Sequence, residues 1–598
     1  MIITPAALSI NQIFGSNNEQ YVIPTYQRRY SWKDRQIWEL IDDIKLIENA
    51  DTHLLGSIVC LASHHTAGLN KLELVDGQQR LTTVSILLEC IRQRLLEKGE
   101  ADEAAEVARL LTAKPMGGKP VRKVSLDSID SDEFDRLVLN DETKEFKNLQ
   151  LKSAFETIRK WIASQSLKDL GIFLYRLQNQ AIVIRLDVGE AKDAFKLFET
   201  INNRGLRLSP TDIIKNFLLG NAARFSDESL QAARKSWAAL ILNLDGTNSD
   251  AFFRYYLMSL EQTRLTAANV VPVFKKVFME RVAEASALPE RHLYTEVEES
   301  EDTDGEELVD ARQGTVEILD STKSAKTTKV EFTTFLSELV LRAKHYGELV
   351  LVKTTDEKTN RHLRNLKMIK AVQTYGFLMH LRAGGCQDKV FLEVLRLTES
   401  FVLRRHICRE RSNETEALFA RLCSVNPRNP GEATRKAYRE LCPSDEKFRT
   451  EFSETKFTGT VIDRARFCLE QIELSKQGQF DELNVLGAAE VHVEHIIPQK
   501  IKSKKDRDEF GDWITYLGEG AEAKHPQYVS RIGNLTIFSG PLNIAASNNP
   551  FAAKKAAYRK SALKITQDLV GKPHFRFIEV TQRSGELADL AVAIWPLP

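Results

Sequence analysis

The stretch Val491-His-Val-Glu-His-Ile-Ile-Pro-Gln499 places a carboxylate directly before an imidazole, at Glu494 and His495. Two β-branched residues and a proline follow the pair, a pattern that predicts a strand ending at a reactive tip. Arg531-Ile-Gly-Asn-Leu-Thr-Ile-Phe538 and then Asn543 come next in the chain. These residue types suit hydrolysis of a phosphodiester. Histidine is the side chain best tuned to take a proton from water near neutral pH. A divalent cation neutralises charge on the phosphate and the leaving oxygen. Magnesium prefers carboxylate and carbonyl oxygens and keeps several waters, so one glutamate and one asparagine are a sufficient protein share. His495 is therefore the expected base, and Glu494 and Asn543 the expected ligands of Mg2+ (or Mn2+). Asn534 is expected to hold the histidine strand in register through backbone hydrogen bonds.

That order of carboxylate-His, Asn and Asn resembles the HNH (ββα-metal) nucleases. The departure is Glu494, where aspartate is commoner; glutamate reaches one methylene further. The helix of such a unit is expected to open at Pro550 and run to about Leu569, with Lys554 and Tyr558 on one face. Lys500-Ile-Lys-Ser-Lys-Lys505 adjoins the strand and offers phosphate contacts, as does Arg404-Arg-His-Ile-Cys-Arg-Glu-Arg411. The competing reading is an ordinary strand with a satisfied surface histidine.

A second chemistry-bearing stretch lies near the N-terminus. Strands over Leu54 to Ala62 and Lys71 to Val75 are expected, the second running into Asp76-Gly-Gln-Gln-Arg-Leu-Thr-Thr83 and a helix from Val84 to Glu97. A strand, a tight glycine turn and a helix N-terminus make an anion site, to which Arg80 adds a charge. Gln78 and Gln79 offer hydrogen bonds to a base or ribose. Upstream, Tyr21-Val-Ile-Pro-Thr-Tyr-Gln-Arg-Arg-Tyr-Ser-Trp32 combines aromatic and guanidinium groups able to stack on a nucleobase. The alternative is that Tyr26, Tyr30 and Trp32 only cover the amphipathic helix expected from Asp34 to Ala50. Further on, Ala181 to Leu186 predicts a buried strand, and a helix around Ala191 to Ile201 leads to Asn202-Asn-Arg-Gly-Leu-Arg-Leu-Ser-Pro-Thr-Asp212. Gly205 reads as a helix C-cap, and Ser209, Pro210 and Asp212 as the start of the next helix. Asn202, Asn203 and Arg204 sit on the elbow between them.

The elements that position these groups are set within 598 residues, a length of about three or four domains. The expected architecture is α+β and multidomain, with a mainly helical region over 226–485. A dense acidic block, Glu296 to Glu307, reads as a linker. The basic run Lys119-Pro-Val-Arg-Lys123 reads as a solvated loop. No apolar run approaches the roughly 18 residues of a membrane span, and the N-terminus lacks a secretion signal. The 7 cysteines include no Cys-x-x-Cys pair, which points to a reducing cytoplasm and away from a cysteine zinc site. Lys+Arg and Asp+Glu both number 83, so any nucleic-acid contact must concentrate its positive charge locally.

IPTYQRRYSW, HLLGSIV, LVDGQQRLTT and FETINNRGLRLSPTDIIKNFLL, in that order, resemble the N-terminal domain of the GmrS/GmrD modification-dependent restriction enzymes. VEHIIPQ, RIGNLTIF and NNPFAAKKAAYRKS are similar to the HNH domain of the partner protein. The chain looks like a single-polypeptide fusion, with domains at 1–225, 226–485 and 486–598. The resemblance implies a ParB/sulfiredoxin-like α/β fold for the first domain and a ββα-metal fold for the last. It also implies that Asp76, Gly77, Gln78, Gln79 and Arg80 bind and hydrolyse a nucleotide, an NTPase activity that leaves GTP, ATP, CTP and UTP open. The implied function is a nucleotide-regulated DNA endonuclease that defends against phage by cutting modified double-stranded DNA. Hydroxymethylated or glucosylated cytosine is preferred on family grounds. Tyr26, Gln27, Arg28, Tyr30 and Trp32 are the candidate sensing segment, and Asn202, Asn203, Arg204 and Lys554 are supporting residues of the candidate sites. Phosphorothioate sensing within the same architecture, and a non-cleaving NTP-switched DNA-binding regulator, are the alternatives. A homodimer is attractive because one HNH site cuts one strand.

Overall fold

In a computed structural model the chain forms two compact units, one of residues 1–253 and 266–343, the other of 254–265 and 344–598. The structure describes residues 3–48, 51–62, 69–115, 118–126, 130–138, 145–202, 209–287, 294–297, 315–318, 328–477, 491–502 and 504–598. Most of the acidic block lies outside them, as do Asn203, Arg204 and Gly205. Among the described residues no helix is long and apolar enough to cross a membrane.

The first unit is built on a six-stranded mixed sheet. Its strands are β1 (Ile3–Ser9), β2 (Glu19–Ile23), β3 (His53–Ala62), β4 (Asn70–Asp76), β5 (Val124–Leu126) and β6 (Ala181–Val188), in the order β1-β6-β3-β4-β2-β5. β3 and β6 run parallel, as do β2 with β4 and β2 with β5; the remaining pairs are antiparallel. Apolar periodicity dictates the packing. In α1 (Asp34–Lys45) Ile37, Leu40, Ile41 and Ile44 recur at helical spacing, and all four are buried. The helix ends at Lys45, short of the expected Ala50. α2 (Gln78–Lys98) is enclosed on most of its surface and is bounded by two left-handed glycines, Gly77 and Gly99. α3 (Ala191–Asn202) packs against α4 (Pro210–Phe225), which starts as its capping residues imply: Ser209 Oγ accepts from Asp212 N at 3.1 Å.

One expectation here is overturned. Lys123 does not sit in a solvated loop but is 1% exposed, its ammonium donating to the carbonyls of Ser16 and Glu19. Burial lowers its pKa to about 8.

The second unit is mainly helical, with a two-stranded antiparallel hairpin of β7 (Val491–His495) and β8 (Leu535–Ser539). Glu494 stands opposite Thr536 and His495 opposite Leu535. α5 (Asp388–Ile407) carries Arg404 and Arg405, which are buried and do not offer phosphate contacts. Arg404 donates to the carbonyls of Pro443 (2.8 Å) and Trp595 (2.9 Å), and Arg405 to Leu441 O (2.6 Å) and Thr415 Oγ1 (2.7 Å). Their guanidinium groups bond carbonyls at or just beyond helix C-termini, which lack intrahelical partners. α6 (Ile462–Gln477) supplies Glu473, whose carboxylate accepts from the backbone nitrogens of Lys564 and Ile565. α7 (Gly540–Ala546) lies against both strands of the hairpin. α8 (Phe551–Tyr558) stops well before Leu569, and Lys554 and Tyr558 are both buried on its inner face. α9 (Phe577–Ile594) closes the unit.

Candidate functional site

Three side chains converge at the end of β7. Lys554 Nζ, from α8, donates to Glu494 Oε1 at 2.6 Å and to the His495 carbonyl at 2.8 Å. Burial raises the Glu494 pKa and lowers that of Lys554, each opposed by the charge of the other. The His495 imidazole is pushed down to about 4 by burial, by the Lys554 ammonium and by His525. It is therefore neutral at pH 7, the form that accepts a proton. Gln499 Nε2 donates to His495 Nε2 at 3.2 Å. His525 Nε2 sits 2.8 Å from the Pro498 carbonyl. Neither Gln499 nor His525 is assigned a role by the sequence reading. Gln499 follows the histidine by four positions and was within reach of a local argument; His525 is far off in the chain and only the fold brings it close.

Asn534 is fully buried between β7 and β8. Its side-chain oxygen accepts from Ile497 N at 2.8 Å, and its nitrogen donates to Ile497 O at 2.9 Å and Val529 O at 2.8 Å. It thus holds the turn just beyond His495 from both sides. The preceding Gly533 has no room for a side chain, because a Cβ there would collide with Val580 O and come 2.7 Å from Ser584 N of α9. Arg583 of the same helix donates to the Gly533 and Leu535 carbonyls at 2.8 and 2.6 Å. The C-terminal helix therefore braces the site. Asn543 lies on α7, and its Oδ1 is buried with no hydrogen-bond partner among the described residues. Such an oxygen suits a hard cation. No group of three or more His, Cys, Asp or Glu able to hold a metal occurs among the described residues. Lys500 and Lys502, just past the hairpin strand, are exposed.

In the first unit the turn between β4 and α2 is equally tight. Gly77 has φ +88°, and a Cβ would overlap the Ile58 side chain and approach its Cα to 3.2 Å. Gln79 Oε1 accepts from Ser31 N at 2.8 Å and its Nε2 donates to Arg29 O at 3.2 Å. Arg80 lies over Gly56 and donates to Ser57 O at 2.8 Å. Gln79 and Arg80 thus fasten neighbouring backbone, whereas Gln78 Oε1 is buried with no hydrogen-bond partner among the described residues.

The 26–32 segment is held from several directions. Tyr26 hydrogen-bonds Glu73 and lies under Arg234, 5.4 Å from its ring centroid. Gln27 donates to Leu74 O and Val75 O, and Tyr30 Oη is 2.8 Å from Thr83 Oγ1. Asp130 accepts from Tyr30 N and from Arg29, and Asn148 donates to Tyr30 O. Tyr26 and Tyr30 are 1% and 4% exposed, so their rings cover the core and do not present a stacking platform. Trp32 packs at the edge of the same core. Arg28 is the half-exposed member, 3.7 Å from Asp212.

Comparison with known families agrees with this division. The model of the GmrSD restriction endonuclease N-terminal domain matches residues 10–219, and that of the GmrSD C-terminal domain matches 442–590. The chain belongs to the GmrSD restriction endonuclease family. It carries both GmrSD domains in one polypeptide, and as a restriction endonuclease it acts on DNA. The matched C-terminal range contains Glu494, His495, Asn534, Asn543 and Lys554, and the N-terminal one contains Asp76 to Arg80. No curated protein matches the chain.

Proposed function

We propose that the chain is a metal-dependent endonuclease of the HNH type that cleaves modified DNA under the control of a bound nucleoside triphosphate. The observation that carries this reading is His495 at a strand end, beside Glu494, with an Asn543 oxygen on the adjoining helix that has no partner among the described residues. Glu494 and Asn543 would hold the cation. Magnesium, when bound, supplies positive charge to the scissile phosphate and its leaving oxygen. His495 takes the proton of the attacking water at Nε2, a position now covered by Gln499. Lys554 keeps Glu494 and the His495 backbone in one register, and Asn534 fixes the turn behind them. Lys500 and Lys502 are placed to meet DNA phosphates.

The nucleotide half of the reading rests on the Gly77 turn opening the long helix α2, a geometry suited to anions. Hydroxymethylated or glucosylated cytosine is the substrate modification we favour. The test is a panel of matched DNAs, unmodified, hydroxymethylated, glucosylated and phosphorothioated, incubated with the full chain and Mg2+, with and without each NTP. Selective cutting of a cytosine-modified DNA, lost in His495→Ala, is expected. Cutting of the phosphorothioated DNA alone transfers the reading to backbone sensing. Intact nucleotide turnover with no cutting of any DNA makes the protein a regulator instead.

A further inference from the structure

Gln78 of the Asp76–Arg80 turn, and Lys215 and Asn216 of α4, are buried polar groups. Two amide oxygens, Gln78 Oε1 and Asn216 Oδ1, have no hydrogen-bond partner among the described residues. Gln78 is 9% exposed and Asn216 1%. An oxygen enclosed in this way loses its water and stays unsatisfied unless a donor reaches it. The Asn216 amide nitrogen is already committed to Asp212 O at 2.7 Å, as expected for an asparagine bonding one turn back in its helix.

Lys215, the neighbour of Asn216 on α4, is 3% exposed. Its ammonium donates to Gln27 Oε1 at 2.6 Å, while Asp212 Oδ1 stands 3.9 Å away. Gln27 in turn donates to Leu74 O and Val75 O, the last carbonyls before Asp76. One side chain therefore ties Lys215 to the end of β4. Asp76 also acts on Lys215 through its charge, as do Asp212 and Arg28. An ammonium has three donors, and here its shortest partner is a neutral amide. A buried cation so placed, among oxygens that need donors, matches a ligand with anionic oxygens at one end and O–H or N–H groups at the other. A nucleoside triphosphate has both, the anionic oxygens on its phosphates and the donors on its ribose and base.

We propose that Lys215 binds the phosphates of a nucleoside triphosphate at the Gly77 turn, with Gln78 and Asn216 accepting hydrogen bonds from its ribose or base. The proposal rests on the nucleotide reading above and goes further by assigning the phosphate charge to α4 instead of Arg80, whose guanidinium is turned to Ser57. Gln27 then connects the phosphate site to the 26–32 segment, so an occupied site bears on the same residues that position Arg28.

The test is calorimetric titration of the full chain with non-hydrolysable analogues of GTP, ATP, CTP and UTP, with tripolyphosphate as competitor. Lys215→Met, close to lysine in volume, is expected to weaken the bound analogue at least tenfold. Lys215→Arg is expected to restore part of the affinity. Tripolyphosphate is expected to displace the analogue from the wild type. If the wild type binds no analogue, the nucleotide reading fails and this proposal with it. If it binds and Lys215→Met binds equally well, the reading stands and the proposal is overturned. Should Lys215→Met not fold, Gln78→Met decides: its oxygen makes no internal hydrogen bond, so the fold tolerates the change, and unaltered affinity overturns the proposal.

Discussion

The β7–β8 hairpin and the β4–α2 turn solve the same problem by opposite means. In the hairpin the chemistry-bearing residues are adjacent in sequence, and distant elements arrive to constrain them: Lys554 from α8, Asn534 from the loop before β8, Arg583 and Ser584 from α9. At the turn the motif residues do the constraining. Gln79 clasps the Arg29–Ser31 backbone and Arg80 the Ser57 carbonyl, and the groups left without partners lie on Gln78 and on α4. A motif residue can therefore be scaffold in one place and chemistry in another. The hydrogen-bond inventory of each side chain tells them apart.

The comparison can be broken most sharply at the hairpin. His495→Ala is expected to lower the cleavage rate about 10²–10⁴-fold while nucleotide binding persists, measured as initial rates on one DNA substrate beside a titration. Retained cutting would remove His495 from the chemistry. Lys554→Met leaves the Glu494 carboxylate buried without its partner, at a cost of about 3–5 kcal/mol, readable in the denaturation midpoint of the second unit. A loss below about 1 kcal/mol would show that the pair does not hold the hairpin. Gly533→Ala, which forces a Cβ against α9, is expected to cost about 3 kcal/mol and to lower Tm without changing the metal dependence of the remaining activity.

At the turn, Gln79→Ala and Gln78→Ala sharpen the contrast between neighbours. The first removes two hydrogen bonds to backbone and should cost about 2 kcal/mol, while the second should stay within about 0.5 kcal/mol. Equal losses would mean that Gln78 is scaffold too. A further expectation concerns pH. Burial, with Arg464 and Arg405 nearby, pushes the His406 imidazole of the second unit down to about 3. The unfolded chain takes up this proton near 6.5 and the folded one does not. Stability thus falls as pH drops from about 6.5 toward 3, with a slope of at most about 1.4 kcal/mol per unit. His406→Gln should flatten that slope, measured by denaturation at pH 7 and 5; an unchanged slope would place the acid sensitivity elsewhere.

Much of the local structure was legible because its causes are local. The capping residues at Ser209 to Asp212, the apolar face of α1 and the strand before Gly77 all depend on neighbours within a few positions. Helix lengths were less so. The pattern predicted a helix from Pro550 to about Leu569, yet α8 ends at Tyr558, and Glu473 of α6 caps a separate turn starting at Lys564. Charge was the poorest guide. Lys123, Arg404 and Arg405 read as solvated or DNA-facing, and each turned out to bond backbone carbonyls inside the fold. A long cationic side chain looks the same in sequence whether it ends in water or on a carbonyl.

By itself the sequence determined which residue types stand next to one another: a carboxylate beside an imidazole at 494–495, an asparagine after a glycine at 533–534, a glycine between strand and helix at 77. Those follow from covalent order and from backbone preferences that act over one or two residues. Only the tertiary structure decided which of those groups remain available. Whether Gln78 or Gln79 keeps an open oxygen, whether Tyr26 faces solvent, and whether a lysine stands beside Glu494 depend on elements that meet from far along the chain. The physical reason is that a polar group is bound or free according to what burial brings within about 3 Å of it.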